Sequence, residues 1–109
     1  MINEFLRKTR KTNIACNMEH MEKIRPHIIC NDGFIISVQA SEFHYCNPRI
    51  YGADKYETVE LGYPSRLEPL IMEYAENKSN PTGTIYAYVP VEIVNKVIEK
   101  HGGILDGYF

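Results

Sequence analysis

Four short segments of the chain alternate apolar and polar side chains, and this period of two is what most constrains the fold. The alternating segments are 27–30, 34–41, 56–63 and 84–90. In each, one face is apolar and the other is polar or aromatic, which is typical of an antiparallel sheet that is covered on one side only. Residues 31–33, Asn-Asp-Gly, lie between the first two segments and predict a tight hairpin.

The alternation also assigns individual side chains to a face of the predicted sheet. The side chains expected to face the core are Phe34, Ile36, Val38, Ala40, Val59, Leu61, Tyr63, Ile85, Ala87 and Val89. The side chains expected on the opposite face are Ile35, Ser37, Gln39, Ser41, Thr58, Glu60, Thr84, Tyr86 and Tyr88.

A single amphipathic helix can cover the apolar face. In "PVEIVNKVIEKHGG", Pro90 suits the helix entry, apolar residues recur at helical spacing, and two glycines end the segment. The sequence therefore predicts an α+β fold, a small antiparallel sheet of about four strands with one main C-terminal helix, near 91–101, packed on one face. Residues 70–75 suit either a short helix or an extra strand.

Length and charge predict the domain organisation. The chain has 109 residues, which suits one domain, and its net charge of −2 argues against a nucleic-acid partner. Residues 1–25 carry six Lys/Arg and three Glu, so we interpret them as a basic N-terminal extension that suits a short helix, and 26–109 as the domain. No apolar run is long enough to predict a membrane span or a secretory signal, so we expect a cytoplasmic protein.

The sequence offers little for catalysis or metal binding. The cysteines Cys16, Cys30 and Cys46 fit neither a disulfide framework nor a CxxC metal site. His44 and Cys46 lie two residues apart but without an oxyanion-hole pattern, and no Gly-rich phosphate loop is present. We therefore expect no enzyme activity, no metal and no cofactor.

Aromatic and polar residues dominate what remains. Seven of the eight tyrosines lie between residues 45 and 88, and Arg49 lies between Tyr45 and Tyr51. Tyrosine rings stack on bases and a guanidinium pairs with phosphate oxygens, although the same tyrosines would equally suit a half-covered small sheet. We interpret "SEFHYCNPRIYG", 41–52, as a ligand-binding loop. The candidate ligand-binding residues are Gln39, Ser41, His44, Tyr45, Arg49, Tyr51, Tyr86 and Tyr88.

Three blocks of the sequence resemble a family of short proteins encoded by bacteriophages. They are "NDGFIISVQASEFHYCNPR", "YETVELGYPSRLEPLIMEYAE" and "PTGTIYAYVPVEIVNKVIEKHGGI", within residues 27–104. The resemblance implies an immune-evasion protein that binds a cyclic nucleotide signal of the bacterial CBASS defence and sequesters it without degrading it. It also implies action inside the infected bacterial cell.

Sequestration of a two-base ligand would suit a homo-oligomer, a dimer or tetramer, in which protomers share the site. An alternative is a protein-binding inhibitor of a host defence enzyme, whose acidic, tyrosine-rich sheet face docks on its target. A minor phage structural or assembly protein is the third possibility, and an enzyme that degrades the signal is the fourth.

Overall fold

The computed structural model describes residues 1–9 and 24–105 of the chain. Its elements are α1 (Ile2–Lys8), β1 (Ile28–Ile29), β2 (Ile35–Gln39), β3 (Thr58–Gly62), a 3₁₀ helix (Pro69–Tyr74), β4 (Ile85–Pro90) and α2 (Val91–Lys100). The strands form one antiparallel sheet in the order β1-β2-β3-β4, which confirms the predicted α+β fold. None of the helices within these residue ranges is long and apolar enough to cross a membrane.

The predicted tight turn at 31–33 joins β1 to β2. Gly33 has a φ of +92°, a conformation that glycine adopts without a steric penalty, and its amide donates to the carbonyl of Cys30 at 2.9 Å. Oδ1 of Asp32 accepts from the amide of Phe34 at 2.9 Å, as short polar side chains in turns often do. A side chain of the turn therefore holds the residue that directly precedes β2.

Helix α2 packs against the apolar face of the sheet and forms the core with it. Its apolar stripe of Val91, Val94, Val97 and Ile98 is buried. The buried side chains that the sheet and its flanking residues contribute are Ile28, Phe34, Ile36, Val38, Ala40, Val59, Leu61, Tyr86 and Val89. The predicted position of the C-terminal helix on one face of the sheet is thus confirmed.

Helix α1 contributes to the same core. Ile2, Phe5 and Leu6 are buried in it, and the amide of Ile2 donates to Oδ1 of Asn95 on α2 at 3.0 Å. A short helix is therefore present in the N-terminal segment. The division of the chain at residue 25 stays a prediction, because residues 10–23, including Cys16, lie outside the described residues.

Strand β4 contains a bulge that strict alternation does not predict. Two β4 residues, Ala87 and Tyr88, lie opposite the single β3 residue Glu60. Because the extra residue changes which face later side chains occupy, Tyr86 and Val89 both face the core. The prediction that Tyr86 lies on the polar face is therefore wrong: its side chain is 0% exposed, whereas Tyr88, at a φ of +52°, is 47% exposed.

Three further residues expected in the core lie outside it. Ile85 pairs with Gly62 on the face opposite the core and is half-buried, and Ala87 is half-buried within the bulge. Tyr63 is exposed because β3 ends at Gly62 and Tyr63 itself has a φ of +51°. The expected core positions therefore fail only where a strand ends or bulges. The expectation that the opposite face is uncovered is wrong at β2 and just after it, because Ser37, Gln39 and Ser41 are buried there and the Arg25 backbone binds Gln39.

Of the two structures that the sequence left open for residues 70–75, the short helix is present, as a 3₁₀ helix, and the extra strand is not. Oε2 of Glu68 accepts from the amide of Leu70 at 2.9 Å and caps the 3₁₀ helix. After the helix, Ala75 forms an isolated β-bridge with Tyr86, and the amide of Glu76 donates to the carbonyl of Ile85 at 3.0 Å.

Both outer strands of the sheet are partly covered along their edges. Ala75 and Glu76 pair with β4, as described above. On the other edge, Cys30 bridges Ile104, and the amide of Leu105 donates to the carbonyl of Ile29 at 2.9 Å. Backbone groups that are already paired cannot accept an added strand, so these stretches of edge are closed to edge-to-edge association.

The bulge makes a testable distinction between two neighbouring tyrosines. We expect Tyr86→Ala to lower the free energy of unfolding by about 3–5 kcal/mol, because it removes a fully buried ring from the core. Tyr88→Ala should change it by less than about 1 kcal/mol, because that ring is largely exposed. Urea denaturation of both variants measures the difference. A larger loss for Tyr88→Ala than for Tyr86→Ala would contradict the bulged register.

Candidate functional site

The loop 41–52 is held at the end of the sheet by backbone hydrogen bonds. The amide of Asn47 donates to the carbonyl of Thr58, at the start of β3, at 3.1 Å. The amide of Tyr88, in the β4 bulge, donates to the carbonyl of Tyr45 at 3.1 Å. The loop therefore has a defined position relative to both strands, and the bulge brings an exposed tyrosine next to it.

Three exposed side chains, Tyr45, Arg49 and Tyr88, form what we call the Tyr-Arg patch. The Tyr45 and Tyr88 ring centroids lie 5.9 Å apart at an interplanar angle of 45°, a normal aromatic contact distance. Cζ of Arg49 lies 5.3 Å from the centroid of the Tyr45 ring, within cation–π range. Tyr45 is 38% exposed, so the patch offers aromatic surface and a cation to solvent.

A carboxylate lies next to the patch. Oε1 of Glu60, on β3, accepts from the amide of Tyr45 at 3.0 Å. Burial raises the pKa of the Glu60 carboxyl above its usual range, although the Tyr45 amide and the Arg49 charge act in the opposite direction. Glu60 thus combines a structural contact to the loop with an acceptor group beside the aromatic rings.

Ser41, His44 and Cys46 make contacts inside the loop. Ser41 Oγ and His44 Nδ1 lie 2.7 Å apart, and Sγ of Cys46 donates to the carbonyl of Ser41 at 3.3 Å. All three side chains are buried. Burial raises the pKa of the Cys46 thiol, which is the opposite of what a thiolate nucleophile needs.

Gln39 is buried, and both polar atoms of its side-chain amide form hydrogen bonds within the protein. Its Oε1 accepts from the amide of Arg25 at 2.7 Å, and its Nε2 donates to the carbonyl of Arg25 at 2.8 Å. Nε2 also donates to Oγ of Ser37 at 3.1 Å. This side chain therefore holds the chain next to β2, and both of its N–H donors are already used.

Tyr51 contacts the buried guanidinium of Arg25. Cζ of Arg25 lies 5.2 Å from the Tyr51 ring centroid, and its Nη1 donates to the carbonyl of Ala40 at 2.8 Å. Arg25 also donates to the carbonyl of Leu6, in α1. Tyr51 thus anchors the far end of the loop to the body of the domain.

The structure brings together three of the eight predicted ligand-binding residues. These are Tyr45 and Arg49 in the loop and Tyr88 in β4. The other five are Gln39, Ser41, His44, Tyr51 and Tyr86, and they make the internal contacts described above. Whether any of the eight binds a ligand stays a prediction.

The sequence does not predict a second polar cluster, because this cluster joins residues from three distant parts of the chain. Nδ1 and Nε2 of His101 lie 2.7 Å from Oδ2 of Asp32 and 2.8 Å from Oε1 of Glu68. Nζ of Lys100 lies 2.9 Å from Oε2 of Glu68, and the Phe34 ring stacks on His101 at 4.0 Å. The sequence identifies the turn at 31–33 and the glycines after α2, which lie near this cluster, but it does not show which side chains pair.

At the centre of this cluster, both ring nitrogens of His101 and both carboxylate oxygens of Glu68 have partners. Both ring nitrogens of His101 contact carboxylate oxygens, and Nη2 of Arg66 lies 3.3 Å from Nδ1. Burial by itself raises the pKa of Glu68, but the Leu70 amide, Lys100 and His101 outweigh it, so that this pKa lies below 4.5. Since neither His101 nitrogen is free to exchange a proton with a substrate, the cluster acts as a structural connection between α2 and the loops.

Neither metal-ligating groups among the described residues nor similarity to known proteins identifies a function for this chain. Within residues 1–9 and 24–105, no group of three or more His, Cys, Asp or Glu side chains could hold a metal ion. Comparison of the chain with protein-family models, curated proteins and solved structures gave no match. The resemblance to a bacteriophage family therefore stays a prediction.

The buried Glu68 predicts a pH dependence of stability. We expect Glu68→Gln to lower the free energy of unfolding at pH 7 by about 2–3 kcal/mol, because hydrogen bonds to charged groups are lost. A carboxyl whose pKa is lowered by folding stabilises above its unfolded pKa, and this contribution disappears as the pH falls through the folded pKa. The difference from wild type should therefore shrink below about pH 4.5.

Urea denaturation at several pH values measures this effect. Glu73→Gln is the matched control, because Glu73 is exposed on the same 3₁₀ helix, and it should change the free energy by less than about 0.5 kcal/mol. A deficit for Glu68→Gln that is the same at pH 7 and pH 3 would contradict the charge contribution.

Proposed function

We propose that this chain binds a nucleotide at the Tyr-Arg patch and holds it without chemical change. The observation that carries the proposal is the position of the Arg49 guanidinium over the Tyr45 ring at 5.3 Å, beside the exposed ring of Tyr88. Exposed aromatic rings stack on bases, and a guanidinium forms charge-assisted hydrogen bonds with phosphate oxygens. One surface therefore presents both groups that a nucleotide needs.

The hydrogen bonding of Arg49 supports a phosphate partner. Its Nε donates to the carbonyl of Glu42 at 3.1 Å, which orients the guanidinium plane. Among the described residues, no carboxylate lies within ion-pair distance of it. Its two terminal nitrogens are thus available for the bidentate contact that guanidinium groups make with phosphate.

The ligand that we propose is a cyclic nucleotide defence signal, which the chain sequesters during infection of a bacterial cell by a phage. This part rests on the resemblance of residues 27–104 to a bacteriophage family. Sequestration requires affinity and no catalytic group, and the buried, high-pKa thiol of Cys46 is compatible with that. Sub-micromolar binding corresponds to more than about 8 kcal/mol, which one exposed patch on a small domain does not easily provide.

A shared site between protomers would supply the missing contacts. We therefore include in the proposal a homo-oligomer, a dimer or tetramer, in which two Tyr-Arg patches hold the two bases of one ligand. Light scattering at micromolar concentration, with and without ligand, measures the mass. A monomer under both conditions would contradict the shared site.

The second candidate function is inhibition of a host protein by direct binding. The observation that favours it is exposed apolar surface in the same loop, where Phe43 is 43% and Ile50 is 53% exposed. Aromatic residues and arginine are enriched at protein interfaces, so the loop also suits a protein partner. Such a protein would ignore nucleotides and bind the host enzyme with this loop.

A ligand panel separates the two candidates. The protein is incubated with mononucleotides and with cyclic mono-, di- and trinucleotides, and its melting temperature is measured with each. We expect at least one phosphate-bearing ligand to raise the melting temperature and to be recovered chemically intact after heat denaturation. Recovery of a cleaved product would contradict sequestration, and the absence of any shift would favour the protein-binding alternative.

Arg49→Ala tests the site itself. Loss of the charge-assisted contact should weaken nucleotide binding roughly ten- to a hundredfold. The melting temperature of the free protein should change little, because the side chain is exposed. Isothermal titration calorimetry measures the affinity. Lys55→Ala is the matched control, since it removes one exposed positive charge from the same β2–β3 connection.

Cys46→Ser separates binding from thiol chemistry. Because Cys46 is buried behind the patch, the substitution should leave affinity nearly unchanged in molecules that remain folded. Normal binding by Arg49→Ala together with loss of function in folded Cys46→Ser would identify the loop as a reactive-thiol site instead.

A further inference from the structure

Glu60 lies at the centre of the surface beside the Tyr-Arg patch. On one side it pairs with Gln39 of β2, and on the other it faces the bulge residues Ala87 and Tyr88. Its side chain lies on the face of the sheet opposite the core and reaches the amide of Tyr45. A planar group that stacks on the patch tyrosines would therefore have its edge close to this carboxylate.

One of the two Glu60 carboxylate oxygens has no hydrogen-bond partner among the described residues. Oε1 accepts from the Tyr45 amide at 3.0 Å, whereas no described residue donates to Oε2. The Glu60 side chain as a whole is half-buried, so part of it remains exposed to solvent. An ionised carboxylate only accepts hydrogen bonds, and each oxygen has two lone pairs, so Oε1 also retains accepting capacity.

The polar side chains of Gln39 and Ser37, which lie beside Glu60, already form hydrogen bonds within the protein. The side-chain amide of Gln39 accepts from the Arg25 amide and donates to the Arg25 carbonyl, and Oγ of Ser37 also accepts from Gln39. Burial raises the pKa of Glu60 and the charge of Arg49 lowers it in part, but Glu60 and Arg49 do not form an ion pair. Beside the patch, Glu60 therefore presents an acceptor and Arg49 a donor, and Glu76, whose charge also raises the pKa of Glu60, is a second carboxylate near Glu60.

We infer that Glu60 is a specificity-determining residue, which selects a nucleotide whose base carries two adjacent N–H donors, a guanine. This inference rests on the proposed function and names the ligand class of the same site. Guanine presents N1–H and the N2 amino group side by side, and a carboxylate accepts from both. Adenine instead presents the acceptor N1 next to its amino group, so that a lone pair would face the carboxylate oxygen.

The first test uses wild-type protein and varies only the ligand. Guanosine, inosine and adenosine monophosphates, and the cyclic dinucleotides with two guanines or two adenines, are compared by calorimetry. We expect guanine ligands to bind at least about tenfold tighter than adenine ligands. Inosine, which lacks the N2 amino group, should bind about tenfold more weakly than guanosine. Equal affinities for the three monophosphates would overturn the inference.

The second test is Glu60→Gln. The variant keeps an oxygen that can accept from the Tyr45 amide but turns one acceptor into an amide donor, which matches the acceptor N1 of adenine. Guanine binding should weaken roughly ten- to a hundredfold while adenine binding stays equal or improves. Glu57→Gln is the matched control, because it removes the same charge from an exposed residue three positions earlier and should preserve the preference.

The outcomes distinguish this inference from the proposed function. If wild type binds no nucleotide, both are wrong. If wild type binds guanine and adenine ligands equally, or if folded Glu60→Gln keeps a guanine preference, the inference is wrong and nucleotide binding stands. A variant that does not fold leaves the decision to the comparison of guanosine, inosine and adenosine on wild type.

Discussion

The bulge in β4 is the constraint on which the candidate site depends. A non-glycine residue at a φ of +52° costs roughly 1–2 kcal/mol, and Tyr88 occupies that conformation. Two gains offset the cost: the Tyr86 ring enters the core, and the Tyr88 amide binds the carbonyl of Tyr45 in the loop. A regular strand would instead have placed Tyr86 and Tyr88 on one face and left the loop without this contact. The bulge therefore converts a run of alternating tyrosines into one core residue and one surface residue.

Arg25 holds the same loop from its other end. Its guanidinium is buried without a carboxylate partner among the described residues, and burial lowers its pKa. The carbonyls of Leu6 and Ala40 and the Tyr51 ring take the place of a counter-ion. One side chain thus connects α1, the end of β2 and the loop. Because the loop is fixed at both ends, a ligand would not have to order it, and less binding free energy would be lost on association.

Periodicity predicted the elements of this fold but not the contacts that build the site. The four alternating segments, the 31–33 turn and the stripe on α2 were identifiable because each depends on local spacing. Tyr86 was misplaced because alternation assumes an uninterrupted period, and a bulge is set by the packing of neighbouring strands. Gln39 looked like a surface residue, but the groups that bury it belong to the backbone of Arg25, which only tertiary structure brings alongside. Asp32, Glu68 and His101 could not be paired for the same reason.

The two polar clusters differ in how completely the protein satisfies them, and this difference indicates where a ligand would bind. In the His101 cluster, both ring nitrogens, both Glu68 oxygens and Lys100 already have partners, so a ligand would have to break strong contacts. At the Tyr-Arg patch, the terminal nitrogens of Arg49 and Oε2 of Glu60 have no partner among the described residues. Their opposite charges are held by the loop and the sheet without pairing with each other. A cation and an acceptor kept apart beside exposed rings suit a ligand that has a phosphate at one end and N–H donors at the other.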